Sequence, residues 1–205
     1  MITYIIIGIT VFISITSMEN MEIKNKMMFN AYMIHHRKEW YRFFSNGLIH
    51  ADFLHLIFNM LSLYMFGLNV ENGYKQLFAE KSILFFILLY VGGLVMSSLY
   101  SYEKHKNNIY YNALGASGAV SAVVFASIIL YPTSGIMFIY FPIPIPAYIY
   151  GVIFLAIEYY LGKRGQDNIG HDAHIWGAIY GVILTIILKP ALAHRFISIV
   201  SGGRI

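Results

Sequence analysis

A serine between small residues is the first candidate for chemistry, in the segment Gly115-Ala116-Ser117-Gly118. The apolar stretch from Ala116 to Tyr131 has only 16 residues, so as a helix it is roughly 24 Å long, about 6 Å short of the hydrocarbon core of a bilayer. Such a helix could begin below the membrane surface, where its first N–H groups would stabilise an oxyanion beside Ser117. Small residues also permit close helix packing. The segment by itself therefore predicts either a nucleophile or a packing contact.

A candidate base for this serine is His174, three residues before the first glycine of Gly177-x-x-x-Gly181. Glycines at this spacing let two membrane helices approach closely, and His174 shares roughly that face. A serine is a weak nucleophile until a neighbouring base takes its proton, and burial favours the neutral imidazole that can do so. A single histidine on such a face is ordinarily a hydrogen-bonded packing residue. Together with Ser117, it predicts a general base.

A pair of hydrogen-bond donors occurs in a third segment. His55 and Asn59 are four residues apart, so they share one helical face, about 6 Å apart along the axis. They could bind an oxyanion or form hydrogen bonds between helices. His50 comes five residues earlier, and we place it at the entry turn of this helix.

The acidic residues do not match the depth of these candidates. Glu158 is near one end of its predicted helix, and Asp52 and Asp172 are at helix entrances. The sequence therefore predicts a Ser–His dyad, Ser117 and His174, without a buried acid.

The composition identifies the environment in which these residues act. The chain has 205 residues, 58% of them hydrophobic and 12% charged, against roughly 25% charged in soluble domains. Its mean hydropathy is +0.62. Cysteine is absent, which excludes disulfides, a thiolate nucleophile and zinc–thiolate sites. The net charge of +4 comes from scattered Lys and Arg with no basic stripe, which argues against nucleic-acid binding.

The predicted fold is all-α, a polytopic membrane protein with six transmembrane helices. A span needs roughly 20 mainly apolar residues. Six segments qualify or nearly qualify: about 2–17, 53–70, 82–100, 115–131, 146–162 and 173–189. We predict a single membrane domain over 1–205, with a core of about 2–189 and a short tail of 190–205.

Two connections carry further information. The 35 residues from 18 to 52 are too many for a structureless loop in a compact domain, and three prolines exclude a helix at 141–146. With a cytoplasmic amino terminus, Lys and Arg number five inside and nine outside, which opposes that orientation under the positive-inside rule.

The ordered motifs resemble those of the rhomboid intramembrane proteases over about residues 39–189. The resemblance rests on His55-x-x-x-Asn59, Gly115-Ala116-Ser117-Gly118, Ala173-His174-x-x-Gly177-x-x-x-Gly181, His50 and Glu39-x-Tyr41-Arg42. It implies that Ser117 is the nucleophile and His174 the general base. It also implies an oxyanion hole formed by His55, Asn59 and the backbone N–H of Ser117. The supporting residues that it implies are His50, the glycines Gly115, Gly118, Gly177 and Gly181, and Glu39 with Arg42 in a structured first loop.

The same resemblance implies a six-helix core in the cell membrane, with both termini in the cytoplasm and a site opening to the extracytoplasmic side. Substrates would be single-span membrane proteins, the chain itself would contact membrane lipids, and neither a cofactor nor a metal is needed. The chain departs from the family in two places. Tyr41 stands where Trp is common, and Ser121 stands where many members have an aromatic residue stacked on the base. Another ring or a hydrogen bond could take that role.

Two alternatives come from other classes of protein. One is a non-enzymatic rhomboid-like protein that binds membrane helices, although inactive members usually lack the serine or the histidine. The other is a metal site or transporter using His50, His55, His171 and His174. That reading leaves Ser117 unexplained, and no H-E-x-x-H motif is present.

Overall fold

A computed structural model of the chain describes residues 1–138, 141–165 and 169–202, which are mostly helical. Short 3₁₀ turns occur at Asn46–Leu48 and Ala79–Lys81, and β1 (Gly135–Phe138) pairs antiparallel with β2 (Phe141–Pro146). The α-helices of the described residues are α1 (Ile2–Met18), α2 (Met21–Met27), α3 (Ala31–Arg37), α4 (Arg42–Ser45), α5 (Phe53–Phe78), α6 (Ser82–His105), α7 (Ser117–Leu130), α8 (Ala147–Arg164), α9 (His171–Leu188) and α10 (Ala191–Val200).

Two parts of the described chain are long and apolar enough to cross a membrane. They are Phe53–His105, where the second 3₁₀ turn joins α5 to α6, and His171–Leu188. The helices α1, α7 and α10 are also apolar but shorter. Each of the six predicted segments coincides with a helix, and α10 lies in the predicted tail. That all six segments cross the bilayer stays a prediction.

The outer surface of the helices carries large apolar side chains. Phe12 on α1 is 71% exposed, Val152 on α8 is 69% exposed and Ile187 on α9 is 68% exposed. In water such side chains would be costly on three separate helices, whereas acyl chains solvate them well. This surface fits a membrane environment.

The helix α7 is the centre of the bundle. Every residue from Gly118 to Leu130 is buried, and α5, α6 and α9 all pack against this helix. Its small residues allow the close approach: a Cβ built on Gly93 of α6 would lie 3.0 Å from the Cα of Ala119. The residue that begins α7 is therefore held by three neighbouring helices.

The segment 18–52 is folded, through α2, α3 and α4. The guanidinium of Arg42 is buried, and its Nε donates to Oε2 of Glu39 at 2.6 Å. One Arg42 Nη donates to the carbonyl oxygens of Asn25 and Met28 at 2.9 and 2.7 Å. Phe29 exchanges backbone hydrogen bonds with Ala113, which connects this segment to the irregular stretch of chain that leads into α7.

Candidate active site

Ser117 is the first residue of α7 and is half-buried. The first N–H groups of a helix have no partner within the helix, and they carry its positive end. Ser117 lines a cavity of ≈ 1010 Å³. The hydroxyl and the unpaired end of α7 thus share a space large enough for water or a peptide segment.

The turn before Ser117 requires a glycine. Gly115 has φ = +118°, a conformation that other residues rarely adopt. A Cβ at this position would also lie 2.7 Å from Cε1 of His55, so the glycine leaves room for that imidazole. Its N–H donates to the carbonyl oxygen of Asn46 at 2.9 Å. The turn is hydrogen-bonded to the first loop and packs against the His55 side chain of α5.

His50 supports the same turn through a hydrogen bond. Its Nε2 accepts a hydrogen bond from the N–H of Ala116 at 3.4 Å, and its Nδ1 lies 2.9 Å from Oγ of Ser14. Since Ser14 donates its own proton to the Leu48 carbonyl, Nδ1 of His50 must carry a hydrogen, which leaves Nε2 as the acceptor. Burial lowers the pKa of His50 to about 3, so the ring is neutral.

His174 lies in the first turn of α9 and lines the same cavity as Ser117. Both residues also line a second, adjoining cavity of ≈ 230 Å³ between α5, α7, α8 and α9. The residues next to them in the chain, Gly118 and Ala173, pack closely: a Cβ built on Gly118 would lie 3.4 Å from the carbonyl oxygen of Ala173. The close packing of α7 on α9 brings the serine and the histidine to one site.

The expectation that no carboxylate converges on the candidate base is wrong. Oε2 of Glu158 lies 2.9 Å from Nδ1 of His174 and 2.6 Å from Nδ1 of His171. Glu158 is near the end of α8, as the sequence indicates, but α9 begins beside that end. Phe154 lies beside His174, whereas Gly162, further along α8, packs against His171 at the start of α9, so the two helices run antiparallel. The signal in the sequence was a carboxylate within the apolar stretch of α8, before the basic residues at its end.

The ring beside His174 also comes from α8. Phe154 has its ring centroid 6.4 Å from that of His174, at an interplanar angle of 37°. On α7 the corresponding position is occupied by Ser121, which is buried. Both substitutes considered for the missing aromatic residue, a ring and a hydrogen bond, are therefore present, one helical turn apart on α8.

His55 and Asn59 line the large cavity together with Ser117. Asp52 caps α5 by accepting a hydrogen bond from the N–H of His55 at 2.8 Å, which sets where the helix begins. Nδ2 of Asn59 donates to the His55 carbonyl at 2.9 Å. An amide nitrogen has two hydrogens, so one remains to donate to a ligand in the cavity.

The four histidines considered for a metal site form two pairs. The ring centroids of His50 and His55 are 4.9 Å apart, and those of His171 and His174 are 6.2 Å apart. In the described ranges, the group with metal-ligand spacing is Glu158 with His171 and His174, within 4.8 Å. Ligands around a tetrahedral zinc ion lie about 3.3 Å from one another, given bonds of roughly 2.0 Å. The contacts of 2.6 and 2.9 Å fit shared protons better than an ion.

Comparisons with known proteins agree with these motifs. The family model of the rhomboid domain matches residues 37–191. The chain is 27% identical over 154 residues to RHOMBOID-like protein 12, mitochondrial, of Arabidopsis thaliana, covering 68% of this chain and 44% of that protein. It is 28% identical over 178 residues to rhomboid protease AarA of Providencia stuartii, covering 78% and 61%. The match thus spans less than two thirds of the length of either relative.

Proposed function

Because this chain belongs to the rhomboid family, we propose that it is an intramembrane serine endopeptidase with Ser117 as nucleophile and His174 as general base. The observation that carries the proposal is that both side chains line the same two cavities, where α7 and α9 begin side by side. The similarity to a rhomboid protease at 28% identity supports it.

The chemistry follows from the groups around the cavity. The imidazole of His174 takes the proton of Ser117 as Oγ forms a bond to the substrate carbonyl carbon, and the carbonyl oxygen becomes an oxyanion. His174 then gives this proton to the leaving amine as the C–N bond breaks. A water molecule then attacks the acyl-enzyme: His174 takes a proton from the water as its oxygen bonds to the acyl carbon, and returns that proton to Oγ of Ser117 as the ester bond breaks.

The oxyanion needs donors that are already in place. Ser117, Asn59 and His55 all line the large cavity, and they offer the backbone N–H at the start of α7, the second amide hydrogen of Asn59 and the imidazole as donors. Pre-positioned donors in a site with little water stabilise the charge that develops in the transition state. This set supports an oxyanion hole between α5 and α7.

We further propose that the substrates are single-span membrane proteins that reach the site from the lipid. In this proposal the six predicted segments cross the cell membrane, and the cavity opens to the extracytoplasmic side. The exposed apolar side chains of α1, α8 and α9 support contact with lipid on several sides of the bundle.

The experiment that tests this function is covalent labelling of the purified protein with a fluorophosphonate, followed by mass spectrometry of the modified peptide. Label on Ser117 is expected in the parent protein and is lost in Ser117→Ala, together with cleavage of a single-span reporter. Ser98→Ala is the matched control, because Ser98 also lines the large cavity but donates its hydroxyl to the Leu94 carbonyl. A parent protein that is neither labelled nor active on any single-span reporter, yet retains reporter binding, would instead be a helix-binding protein.

A further inference from the structure

We propose that Glu158 is a positioning residue that holds His174 as the base for Ser117, so that the site works as a Glu–His–Ser triad; this inference rests on the proposed function. Glu158 is buried, and its Oε2 contacts His174 at Nδ1, the ring nitrogen that cannot also serve as the base. A buried carboxylate within a membrane protein is costly unless it is paired, and such residues commonly mark a functional site.

The hydrogen bond selects the tautomer of His174. An ionised carboxylate only accepts hydrogen bonds, so Nδ1 of His174 carries the hydrogen and Nε2 presents its lone pair. Both His171 and His174 bring Nδ1 to the same oxygen, and a protonated carboxyl could donate to only one of them. The ionised form satisfies both contacts. His174 is then in the form that can take a proton through Nε2.

A second contact keeps the carboxylate in place. Nδ1 of His171 lies 2.6 Å from the same oxygen, and the His171 side chain is buried. His171 and His174 are three residues apart and therefore face α8 from one side of α9. Gly162 leaves space for this arrangement, since a Cβ there would lie 3.1 Å from Cβ of His171. The carboxylate is thus held by two contacts and does not depend on His174 alone.

The orientation of the ring also comes from α8. Phe154 and Glu158 are four residues apart on one face of this helix, with the ring of Phe154 6.4 Å from that of His174. Ser121 on α7 offers no ring, so its side of the base cannot supply stacking. Hydrogen bond and ring together define the rotation of the imidazole.

The carboxylate also has a part in the reaction. When His174 takes the proton of Ser117 it becomes an imidazolium. The negative charge of Glu158, next to Nδ1, stabilises this imidazolium without accepting its proton. This stabilisation is present only as the reaction proceeds, so its loss lowers kcat and leaves KM nearly unchanged. General acid–base catalysis contributes typically about 10²–10⁴-fold, and we expect about a 10²-fold loss of kcat without the charge.

The test compares Glu158→Gln, Glu158→Asp and the control Glu80→Gln, which is exposed in the second 3₁₀ turn. Each is assayed by cleavage of a single-span reporter and by the rate of fluorophosphonate labelling of Ser117. We expect Glu158→Gln to lose about 10²-fold in kcat and labelling rate at unchanged KM. Glu158→Asp keeps the charge and should recover part of that loss, while Glu80→Gln should match the parent.

The outcomes separate this inference from the proposed function. A parent protein that is not labelled at Ser117 would remove the function itself. If the parent is active and a folded Glu158→Gln variant has an equal kcat, only the role of Glu158 in the triad is ruled out. If Glu158→Gln does not fold, Glu158→Asp decides: near-parental KM with reduced kcat supports the triad. A Glu158→Asp variant that has a lower melting temperature than the parent but an unchanged kcat would make Glu158 a packing residue.

Discussion

The backbones of α7 and α9 touch at Gly118 and Gly177: a Cβ on Gly177 would lie 2.0 Å from the Gly118 carbonyl oxygen. One turn further along both helices, a Cβ on Gly181 would lie 2.1 Å from the carbonyl oxygen of Ala122. Ser117 directly precedes Gly118, and His174 precedes Gly177 by about one turn. This contact therefore sets the separation between the candidate nucleophile and its base.

The first prediction concerns that contact. Gly177→Ala places a methyl group against backbone, which cannot move aside as a flexible side chain can, so α9 must shift away from α7. Overpacking of this kind costs typically about 1–3 kcal/mol, and a displacement of about 1 Å at a reacting group can cost 10²-fold in rate. We expect a lower melting temperature in detergent and a large loss of reporter cleavage.

Gly8→Ala is the matched control for this substitution. Gly8 is also helical, in α1, but a Cβ there would meet no atom within 4 Å. Alanine favours helix over glycine by roughly 1 kcal/mol, so this variant should be as stable as the parent or slightly more so. Equal melting temperature and activity for Gly177→Ala and Gly8→Ala would contradict the packing argument.

The second prediction concerns the donors for the oxyanion. Asn59→Ala should lower kcat by about 10²–10³-fold with little change in KM, as removal of one such donor does in other acyl transfers. The hydrogen bond from Asn59 to the His55 carbonyl is local, within one turn of α5, so its loss should change the melting temperature little. A kcat equal to that of the parent would make Asn59 a structural residue.

The third prediction is a dependence of stability on pH through His50. Its pKa is about 3 in the folded protein, because the ring is buried, and about 6.5 in the unfolded chain. Between these values the unfolded chain binds the proton and the folded protein does not, so stability falls as pH decreases from about 6.5 towards 3. Thermal unfolding in detergent from pH 7 to pH 4 should show this decrease.

The variant His50→Gln isolates that effect from other titrating groups. Glutamine lacks the titrating nitrogen, so its melting temperature should decrease less steeply with falling pH than that of the parent. At pH 7 the variant should be less stable, because the neutral ring of His50 holds the N–H of Ala116 and the hydroxyl of Ser14. Parallel pH profiles for the two proteins would show that His50 does not carry the dependence.

Some of this protein follows from the sequence because the responsible interactions are local. Apolar length identifies the helices, and a helix that begins near Ser117 follows from the small residues at its start. Helix ends are less predictable, since α5 continues from the predicted 70 to Phe78 and α6 from 100 to His105. Polar residues end an apolar segment but not a helix; in α5, Glu71 accepts a hydrogen bond from the N–H of Thr3 at 2.7 Å.

What only the tertiary structure decided is which face of each helix meets which neighbour, and at what height. The sequence contains Glu158 and His174 on separate helices, but their contact depends on the antiparallel pairing of α8 with α9 and on the rotation of both about their axes. The support of the Ala116 N–H by His50 likewise joins residues 66 positions apart. Hydrophobic length carries no information about rotation or relative depth, because many helix rotations bury similar apolar area. Close packing at the small residues of α7 and α9 selects one of them.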